Sequence, residues 1–372
     1  MHRRTCVLLA VTAGVLLGAA PAFAVSGGTQ LPDQSAAPWM VTIASAGDRP
    51  LEQRELCGGV LIAPDRVATA GHCLDHGDPT HWEVHLGASV LSTNPGTVLP
   101  IRGVAIHPGY RLIPSPSDPN SFEKSAVAND VAIIALARPV SGVQPVRVAE
   151  NPPAEGTAVH AYGHGRTKAT GPADPLSSIG DVLRRADLSV ISDQRCGARL
   201  GGVVDGGSVV CAQGKDTICA GDSGGPLVRD TATGPELVGI TSFGGEVVGK
   251  QCGQDRYPGG FADTAALRSW LTQPDPVLAP MPVGKPTITG SRAVGDTVRC
   301  EQPRWAGRAP DSVAYEWARQ QTGSDGFVFY TTIKGATAPR LAITPDLDGV
   351  PVLCVQTAST AGGTIEQYTA PR

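Results

Sequence analysis

Glycine and proline recur along the whole 372-residue chain, 46 and 32 times respectively, and this spacing restricts the fold more than any other feature. Both residues interrupt helices, so a protein built from long helices is excluded. Because 41% of the residues are hydrophobic and the net charge is only −4, a chain that is disordered through its charge is also excluded. The near-neutral charge gives no support for nucleic-acid binding. The sequence therefore predicts a turn-rich, mostly β protein that is long enough for two domains.

The first 24 residues have the three parts of a secretory signal peptide. Arg3 and Arg4 precede an apolar stretch at 6–20, and an Ala-Phe-Ala cleavage site follows at 22–24. The alternative is a membrane anchor, but about 15 apolar residues fall short of the roughly 20 that span a bilayer. We therefore predict a secreted, extracellular protein with residues 1–24 as its signal peptide and no membrane span after cleavage.

Cleavage removes Cys6 and leaves an even number of cysteines, which in an exported protein indicates disulfide bonds. They are Cys57, Cys73, Cys196, Cys211, Cys219, Cys252, Cys300 and Cys354. No C-x-x-C pair is present, so a zinc site is not expected. The histidines at 72, 76, 81 and 85 do not have the spacing of zinc ligands, and this region predicts a solvated loop. We expect no metal and no cofactor.

Short apolar segments separated by turn residues fill the chain between Trp39 and Asp263, which is typical of a β-barrel or sandwich. One helix is predicted at 264–272, where apolar residues recur at helical spacing after Asp263, a suitable N-cap. A proline-rich linker follows at 273–284.

The last segment, 285–372, has a strand pattern of its own. Cys300, Trp317 and Cys354 follow one another as in immunoglobulin-like sandwiches, in which a disulfide joins two sheets and a tryptophan packs on it. The segment resembles the Ig-like modules that are appended to secreted bacterial proteins, so we expect an Ig-like β-sandwich. The sequence leaves open whether this module binds a cell surface, a glycan or a protein, or is a spacer.

Three short strings carry the chemistry: TAGHC at 69–73, NDVA at 129–132 and GDSGGP at 221–226. A serine hydroxyl is a poor nucleophile at neutral pH unless an imidazole accepts its proton and a carboxylate orients that imidazole. His72, Asp130 and Ser223 are the residues of these types in the three strings. Glycines around Ser223 allow the backbone to turn tightly and to direct N–H groups at an oxyanion.

The string GDSGG also fits the G-x-S-x-G pattern of α/β-hydrolases, whose chain order is serine, acid, histidine. No histidine follows Ser223, so that fold is excluded. The order histidine, aspartate, serine is that of chymotrypsin-type proteases. In motif, order and spacing, residues 25–272 resemble the chymotrypsin/trypsin family of serine proteases. The resemblance implies an all-β domain of two six-stranded antiparallel β-barrels.

The resemblance also assigns roles to the motif residues. It implies that His72 is the general base, Asp130 its orienting acid and Ser223 the nucleophile. The backbone N–H groups of Gly221 and Ser223 would form the oxyanion hole. The family pairing implies the disulfides Cys57–Cys73, Cys196–Cys211 and Cys219–Cys252, which leaves Cys300–Cys354 for the Ig-like module.

Val25 stands at the position of the family's mature N-terminus. By the resemblance, its freed α-ammonium would enter the interior and pair with Asp222. Because the predicted signal cleavage site is directly before Val25, we expect that signal removal activates the enzyme without a zymogen stage. The alternative is that residues 25–28 are a flexible end of the mature chain.

The specificity pocket follows from the same resemblance. Thr217 would lie at its base with Ile218 beside it, and its walls would include Ser242, Phe243, Gly244 and Gly259. Thr217 is uncharged and the two glycines leave the pocket open, so we expect an apolar or medium-sized side chain before the cut bond. Asp216 is next to the base, and a basic preference through its carboxylate is the alternative.

Together these inferences predict a secreted serine endopeptidase that hydrolyses peptide bonds in protein or peptide substrates through an acyl-enzyme on Ser223. The alternative is a non-catalytic binding protein on a serine-protease scaffold. Such proteins usually lack a member of the triad, whereas this sequence contains all three.

Overall fold

The computed structural model describes residue 25 and residues 27–75, 81–114, 126–166, 179–200, 204–244, 257–322 and 328–372. Most of the regular structure in them is β-strand, as the glycine and proline content predicts. The strands up to residue 150 are β1 (Thr29–Gln30), β2 (Met40–Ser45), β3 (Glu55–Ala63), β4 (Arg66–Thr69), β5 (Trp82–Leu86), β6 (Thr97–Leu99), β7 (Ile101–Ile106), β8 (Arg111–Ile113), β9 (Ala126–Ala128), β10 (Ala132–Leu136) and β11 (Arg147–Val148).

The next strands form a closed barrel. They are β12 (Ala158–Gly163), β13 (Arg184–Ile191), β14 (Val209–Gly214), β15 (Pro226–Thr231), β16 (Gly234–Gly244) and β17 (Gly259–Asp263). Their order is β13–β12–β15–β16–β17–β14, and β14 pairs again with β13. Every pairing in this ring is antiparallel. Inward-facing residues such as Leu188 and Phe261 fill the barrel, and this confirms the prediction of a six-stranded antiparallel barrel.

The first sheet curls differently. Its order is β6–β5–β2–β3–β4–β10–β7, with β6 and β7 at the two edges. Only Pro100 separates these edge strands in the sequence, and proline, which has no N–H group, cannot continue a hydrogen-bonded ladder. Where the sequence predicts a second six-stranded barrel, the described residues form a curled sheet of seven strands, because Pro100 divides one long strand into two.

Two α-helices accompany the strands in the ranges that the structure describes. Helix α1 (Asp193–Leu200) is absent from the sequence predictions, because Cys196 is its only buried residue and it lacks an apolar stripe. Helix α2 (Arg268–Leu271) is shorter than the predicted 264–272. Asp263 does cap the turn that leads into it, since its carboxylate accepts hydrogen bonds from the N–H groups of Ala265 at 2.9 Å and Ala266 at 3.1 Å.

The C-terminal segment contains β18 (Met281–Val283), β19 (Thr287–Thr289), β20 (Thr297–Glu301), β21 (Arg304–Ala306), β22 (Ser312–Thr322), β23 (Val328–Thr332), β24 (Arg340–Ala342), β25 (Val352–Thr360) and β26 (Gly363–Tyr368). One sheet has the order β19–β20–β24 and another β23–β22–β25–β26. The Cys300–Cys354 disulfide joins the two sheets. Trp317 is fully buried in the cluster that contains both cysteines, and its indole donates a hydrogen bond to Ala338 O at 2.9 Å.

The C-terminal segment packs against the first sheet. The Ala279 N–H donates to Val104 O at 2.7 Å, which holds the proline-rich linker along β7. The Ile106 N–H donates to Gly362 O at 2.7 Å, so the tip of the β25–β26 hairpin contacts the end of the same strand. Ile365 is 1% exposed and belongs to the core cluster of the first sheet. The linker and this hairpin are therefore docked onto the edge of the sheet.

Among the described ranges we find no helix with the length and apolar character that a membrane crossing needs.

Candidate active site

His72 lies in a short 3₁₀ turn, Gly71–Cys73, directly after β4. The Cys57–Cys73 disulfide ties this turn to β3, as predicted. The backbone comes close to Asp130 here, since a Cβ at Gly71 would lie 3.2 Å from Asp130 Oδ1. The disulfide and the close approach fix the position of the imidazole relative to the carboxylate.

The Asp130 carboxylate is buried and accepts three hydrogen bonds. Its Oδ1 accepts the His72 backbone N–H at 2.9 Å, and its Oδ2 lies 2.7 Å from His72 Nδ1. The Ser242 hydroxyl donates to the same Oδ2. Because Nδ1 donates to the carboxylate, Nε2 carries the lone pair that a general base needs.

The residue before Asp130 holds a left-handed backbone conformation. Asn129 has a φ of 51°, an uncommon value for a residue other than glycine. Its N–H donates to Ser208 Oγ at 3.0 Å, and its side-chain amide donates to Gly109 O at 3.0 Å. These two hydrogen bonds hold the turn that aims Asp130 at His72.

The loop that carries Ser223 packs against the histidine turn through its backbone. The Gly58 N–H donates to Ser223 O at 2.7 Å, and the Gly224 N–H donates to Thr241 O at 2.8 Å. Gly224 has a φ of 77°, and a Cβ there would collide with Thr69 Oγ1, three residues before His72. The Ser223 hydroxyl itself forms no hydrogen bond within the described residues, so the backbone sets its place beside the histidine turn.

Two backbone donors lie at the predicted oxyanion hole. Neither the Gly221 N–H nor the Ser223 N–H has a hydrogen-bond partner in the described part of the chain. Gly221 has a φ of 97°, which only glycine adopts without strain. Asp222 lies buried beneath this turn and accepts hydrogen bonds from Gly165 N and Cys219 N, both at 2.8 Å.

The pKa values of the His–Asp pair are shifted in complementary directions. Burial lowers the pKa of His72, but the charge and hydrogen bond of Asp130, together with the charge of Asp75, outweigh burial and raise it above its ordinary value. Burial raises the pKa of Asp130, but its attraction to His72 and its hydrogen bonds outweigh burial and lower it below its ordinary value. The arrangement favours an ionised aspartate that stabilises the imidazolium.

Of the predicted pocket residues, Ile218, Gly244 and Gly259 adjoin one another, whereas the Ser242 hydroxyl donates to Asp130. Thr217 is buried, and its hydroxyl donates to Tyr257 O at 3.2 Å. Ile218 packs on Gly259, where a Cβ would lie 2.8 Å from Ile218 Cδ1. The Phe243 ring covers Gly260 and packs with Leu200 of α1. Gly244, at the end of β16, pairs with Gly259, and residues 245–256 of the rim lie outside the described residues.

Asp216 faces away from this group. Its Oδ2 accepts a hydrogen bond from the Asp187 N–H at 3.2 Å. A Cβ at Gly27 would lie 2.8 Å from its Oδ1, so the carboxylate borders the N-terminal segment. Val25 is fully buried in the core of the closed barrel together with Ile218.

The remaining predicted disulfides have mixed outcomes. Cys196–Cys211 and Cys300–Cys354 are both formed, as predicted. Cys219 is also disulfide-bonded, but its expected partner Cys252 lies outside the described residues.

The histidine group does not form the loop that the sequence predicts. His85 is 3% exposed on β5, where its ring lies 2.9 Å from Pro95 O and 3.0 Å from Glu83 Oε2. That expectation is wrong for His85, because β5 lies between β2 and β6 in the first sheet, and His76 lies outside the described residues. His72 stands beside Cys57 and Cys73, but both sulfurs are in a disulfide and are unsuited to bind a metal as thiolates.

Two buried residues near Asp222 were missed by the sequence analysis. Glu55 begins β3 and is 2% exposed, and His164 follows β12 and is fully buried. Each looks ordinary in its own string, and no motif joins them. Only the packing of the first sheet against the closed barrel brings them together.

Comparison with known proteins agrees with this geometry. The family model described as Trypsin matches residues 25–271. Trypsin iota of Drosophila melanogaster is 30% identical over 244 residues, which cover 64% of this chain and 83% of that protein. A trypsin of Sarcophaga bullata is 31% identical over 222 residues, which cover 58% of this chain and 77% of that protein. The chain therefore belongs to the trypsin family of serine endopeptidases.

Proposed function

We propose that the protein cleaves peptide bonds with His72, Asp130 and Ser223 as its catalytic triad. The observation that carries the proposal is the hydrogen bond between His72 Nδ1 and the buried Asp130 carboxylate, beside the serine loop. His72 takes the proton of the Ser223 hydroxyl as the oxygen attacks the scissile carbonyl. The N–H groups of Gly221 and Ser223 stabilise the oxyanion. His72 then protonates the leaving amine, and water hydrolyses the acyl-enzyme.

Covalent labelling tests this proposal directly. The secreted protein is treated with a serine-directed organophosphonate, and the modified residue is identified by peptide mass spectrometry. We expect modification at Ser223 and, in Ser223→Ala, a loss of kcat of about 10⁶-fold. A folded protein that is neither labelled nor active would instead favour a non-catalytic binding protein on the protease scaffold.

We also propose an apolar or medium-sized side chain before the cut bond. Thr217 and Ile218 offer no charge at the base, and the Asp216 carboxylate is engaged by the Asp187 backbone. A peptide library that varies this one residue tests the preference. The expected result is faster cleavage after leucine or methionine than after arginine, and a strong preference for arginine would contradict it.

Activation by signal removal is the third part of the proposal. The buried position of Val25 supports entry of its α-ammonium toward Asp222. A Cys219–Cys252 disulfide would stabilise the loop that leads to Asp222. N-terminal sequencing of the active, secreted protein is expected to start at Val25, and an active form with another start would contradict the absence of a zymogen stage.

We assign residues 1–24 to a signal peptide, 25–272 to the protease domain, 273–284 to the linker and 285–372 to an Ig-like domain. The two sheets joined by Cys300–Cys354, with Trp317 between them, support the last assignment. A cell surface, a glycan and a protein are the ligand classes we propose for it. Fractionation of a producing culture would test secretion, which requires the mature chain in the medium.

A further inference from the structure

The interior of the protein contains a carboxyl group and an imidazole that the catalytic mechanism does not use. The buried Glu55 carboxyl oxygens have no hydrogen-bond partner among the described residues, and neither do the ring nitrogens of His164. The nearest pair of their atoms, His164 Nδ1 and Glu55 Oε1, is 3.9 Å apart. An ionised carboxylate without a partner is costly in the protein interior. The two groups are therefore expected to carry no net charge together.

His164 belongs to the segment on which the oxyanion-hole turn rests. The Gly165 N–H donates to Asp222 Oδ1 at 2.8 Å, and the Arg166 N–H donates to Ala220 O at 2.7 Å. A Cβ at Gly221 would lie 3.0 Å from Gly165 Cα. The Asp222 carboxylate itself packs against Gly163 and Gly165, where any Cβ would collide with it. Of residues 163–165, only His164 has a side chain beyond a hydrogen, and its Nδ1 lies 3.9 Å from Glu55 Oε1.

We propose that Glu55 and His164 together hold one proton and act as positioning residues for the oxyanion-hole turn of the proposed serine protease. With one proton between them the pair has no net charge, and the segment 163–166 stays in place against Asp222. If the pair loses the proton, a second negative charge develops beside Asp222 and repels it. The proposal rests on the catalytic role of Ser223 argued above.

The electrostatics of the site agree with one proton on the pair. Burial, followed by the negative charge of Asp222, raises the pKa of Glu55 well above its ordinary value. Burial lowers the pKa of His164 to about 4, against the opposing charge of Asp181 and the opposing interaction with the Ser89 backbone. Asp222 and Asp181 act on the pair from other segments, and both disfavour a further negative charge. In the mature protein the proposed Val25 ammonium would offset part of the charge of Asp222. The one-proton state is therefore the stable one at neutral pH.

The test compares His164→Gln with the double variant Glu55→Gln/His164→Gln in the secreted full chain. In His164→Gln, the imidazole is replaced by an amide whose N–H groups can donate to an ionised carboxylate, so Glu55 should lose its proton at lower pH. We expect kcat to fall about tenfold or more, since an oxyanion-hole donor is worth about 10²–10³-fold. The alkaline limb of the kcat–pH profile should move to lower pH. The double variant has no carboxyl at this position, and it should recover kcat and the original limb.

Controls separate this proposal from simple packing and from failure of the proposed function. His160→Gln changes a histidine on β12 whose ring pairs with Asp187 and Asp230 at the surface, and it should leave kcat and the pH profile unchanged. A wild-type kcat in His164→Gln, or a loss that the double variant does not recover, would overturn the proposal. If His164→Gln does not fold, the yield of folded protein is compared instead. Recovery of folding in the double variant supports the proposal, and no recovery overturns it. Retained activity in Ser223→Ala would instead overturn the proposed function.

Discussion

Two buried carboxylates hold the parts of the site, and the protein satisfies them in different ways. Asp130 accepts three hydrogen bonds, among them one from His72, the residue that it orients. Within the described residues, Asp222 accepts two backbone N–H groups, and burial raises its pKa to about 7. Beside it lie Glu55 and His164, whose polar atoms have no partner in the described chain.

The difference indicates that the polar groups around Asp130 already satisfy one another, whereas the buried Asp222 carboxylate still lacks a positively charged partner. The Asp130 region carries its own hydrogen-bond donors, among them His72, so its geometry is set when the chain folds. The Asp222 region needs a cation, which we propose to be the Val25 ammonium, and a proton on the Glu55–His164 pair. The His–Asp pair is therefore preorganised, whereas we propose that the oxyanion-hole side depends on processing and on protonation.

Of the substitutions at the two buried carboxylates, we expect the larger loss of kcat at Asp130. Asp130→Asn keeps the shape of the side chain but removes the charge that selects the Nδ1–H tautomer of His72. We expect kcat to fall by about 10⁴-fold while the fold is retained. Steady-state kinetics and a thermal unfolding curve measure the two quantities. A loss below about tenfold would mean that Asp130 does not orient His72.

We expect a smaller loss of kcat on substitution of Asp222, the carboxylate that we propose to pair with the Val25 ammonium. Asp222→Asn in the mature protein cannot pair with the α-ammonium of Val25, so the Gly221–Ser223 turn loses its support. We expect kcat to fall about 10²–10³-fold, the cost of a lost oxyanion donor. Asp263→Asn, which alters another buried acid away from the site, controls for general destabilisation. Equal kcat in the Asp222 variant and the wild type would contradict the pairing.

The pH dependence of kcat/KM tests the protonation of His72, the partner of Asp130. His72 must be neutral to act as a base, and its pKa lies above its ordinary value, so kcat/KM should fall about tenfold per pH unit below that raised pKa. Asp75→Asn removes a negative charge and should move this acid limb to lower pH. The same raised pKa means that protonated His72 stabilises the fold at low pH, and this contribution is lost as the pH rises through the raised value. An acid limb that does not move in Asp75→Asn would rule out its charge as a cause.

The smallest effect on catalysis is expected from the docked C-terminal hairpin, away from both carboxylates. A Cβ at Gly363, where φ is 127°, would lie 3.0 Å from Ile106 Cβ. We expect Gly363→Val to lower the free energy of unfolding by about 1–3 kcal/mol through overpacking and to leave kcat unchanged. Gly295→Val, at a φ of 93° with open space around it, is the matched control for backbone strain alone. Equal destabilisation in the two variants would show that the docking contact contributes nothing.

Much of the fold and of the site can be predicted from the sequence, for reasons visible at particular residues. The glycines at 221 and 224 have left-handed φ values, so their identity already reports a tight turn around Ser223. The Cys300, Trp317 and Cys354 spacing predicts a disulfide between sheets, and the disulfide is formed. By contrast, helix α1 buries only Cys196, so it leaves no periodic apolar pattern to detect. The effect of Pro100 also depends on which strands its neighbours pair with, and no local rule supplies that.

The sequence by itself determined the class of protein, because nucleophilic serine chemistry requires fixed residue types in short, ordered strings. It also determined that β-structure would dominate, because glycine and proline interrupt helices wherever they occur. Only the tertiary structure decided that the Asp216 carboxylate faces the N-terminal segment and that His85 is buried. It alone brought Glu55 and His164 together, since burial and pairing of distant residues arise from packing and leave no local trace in the sequence.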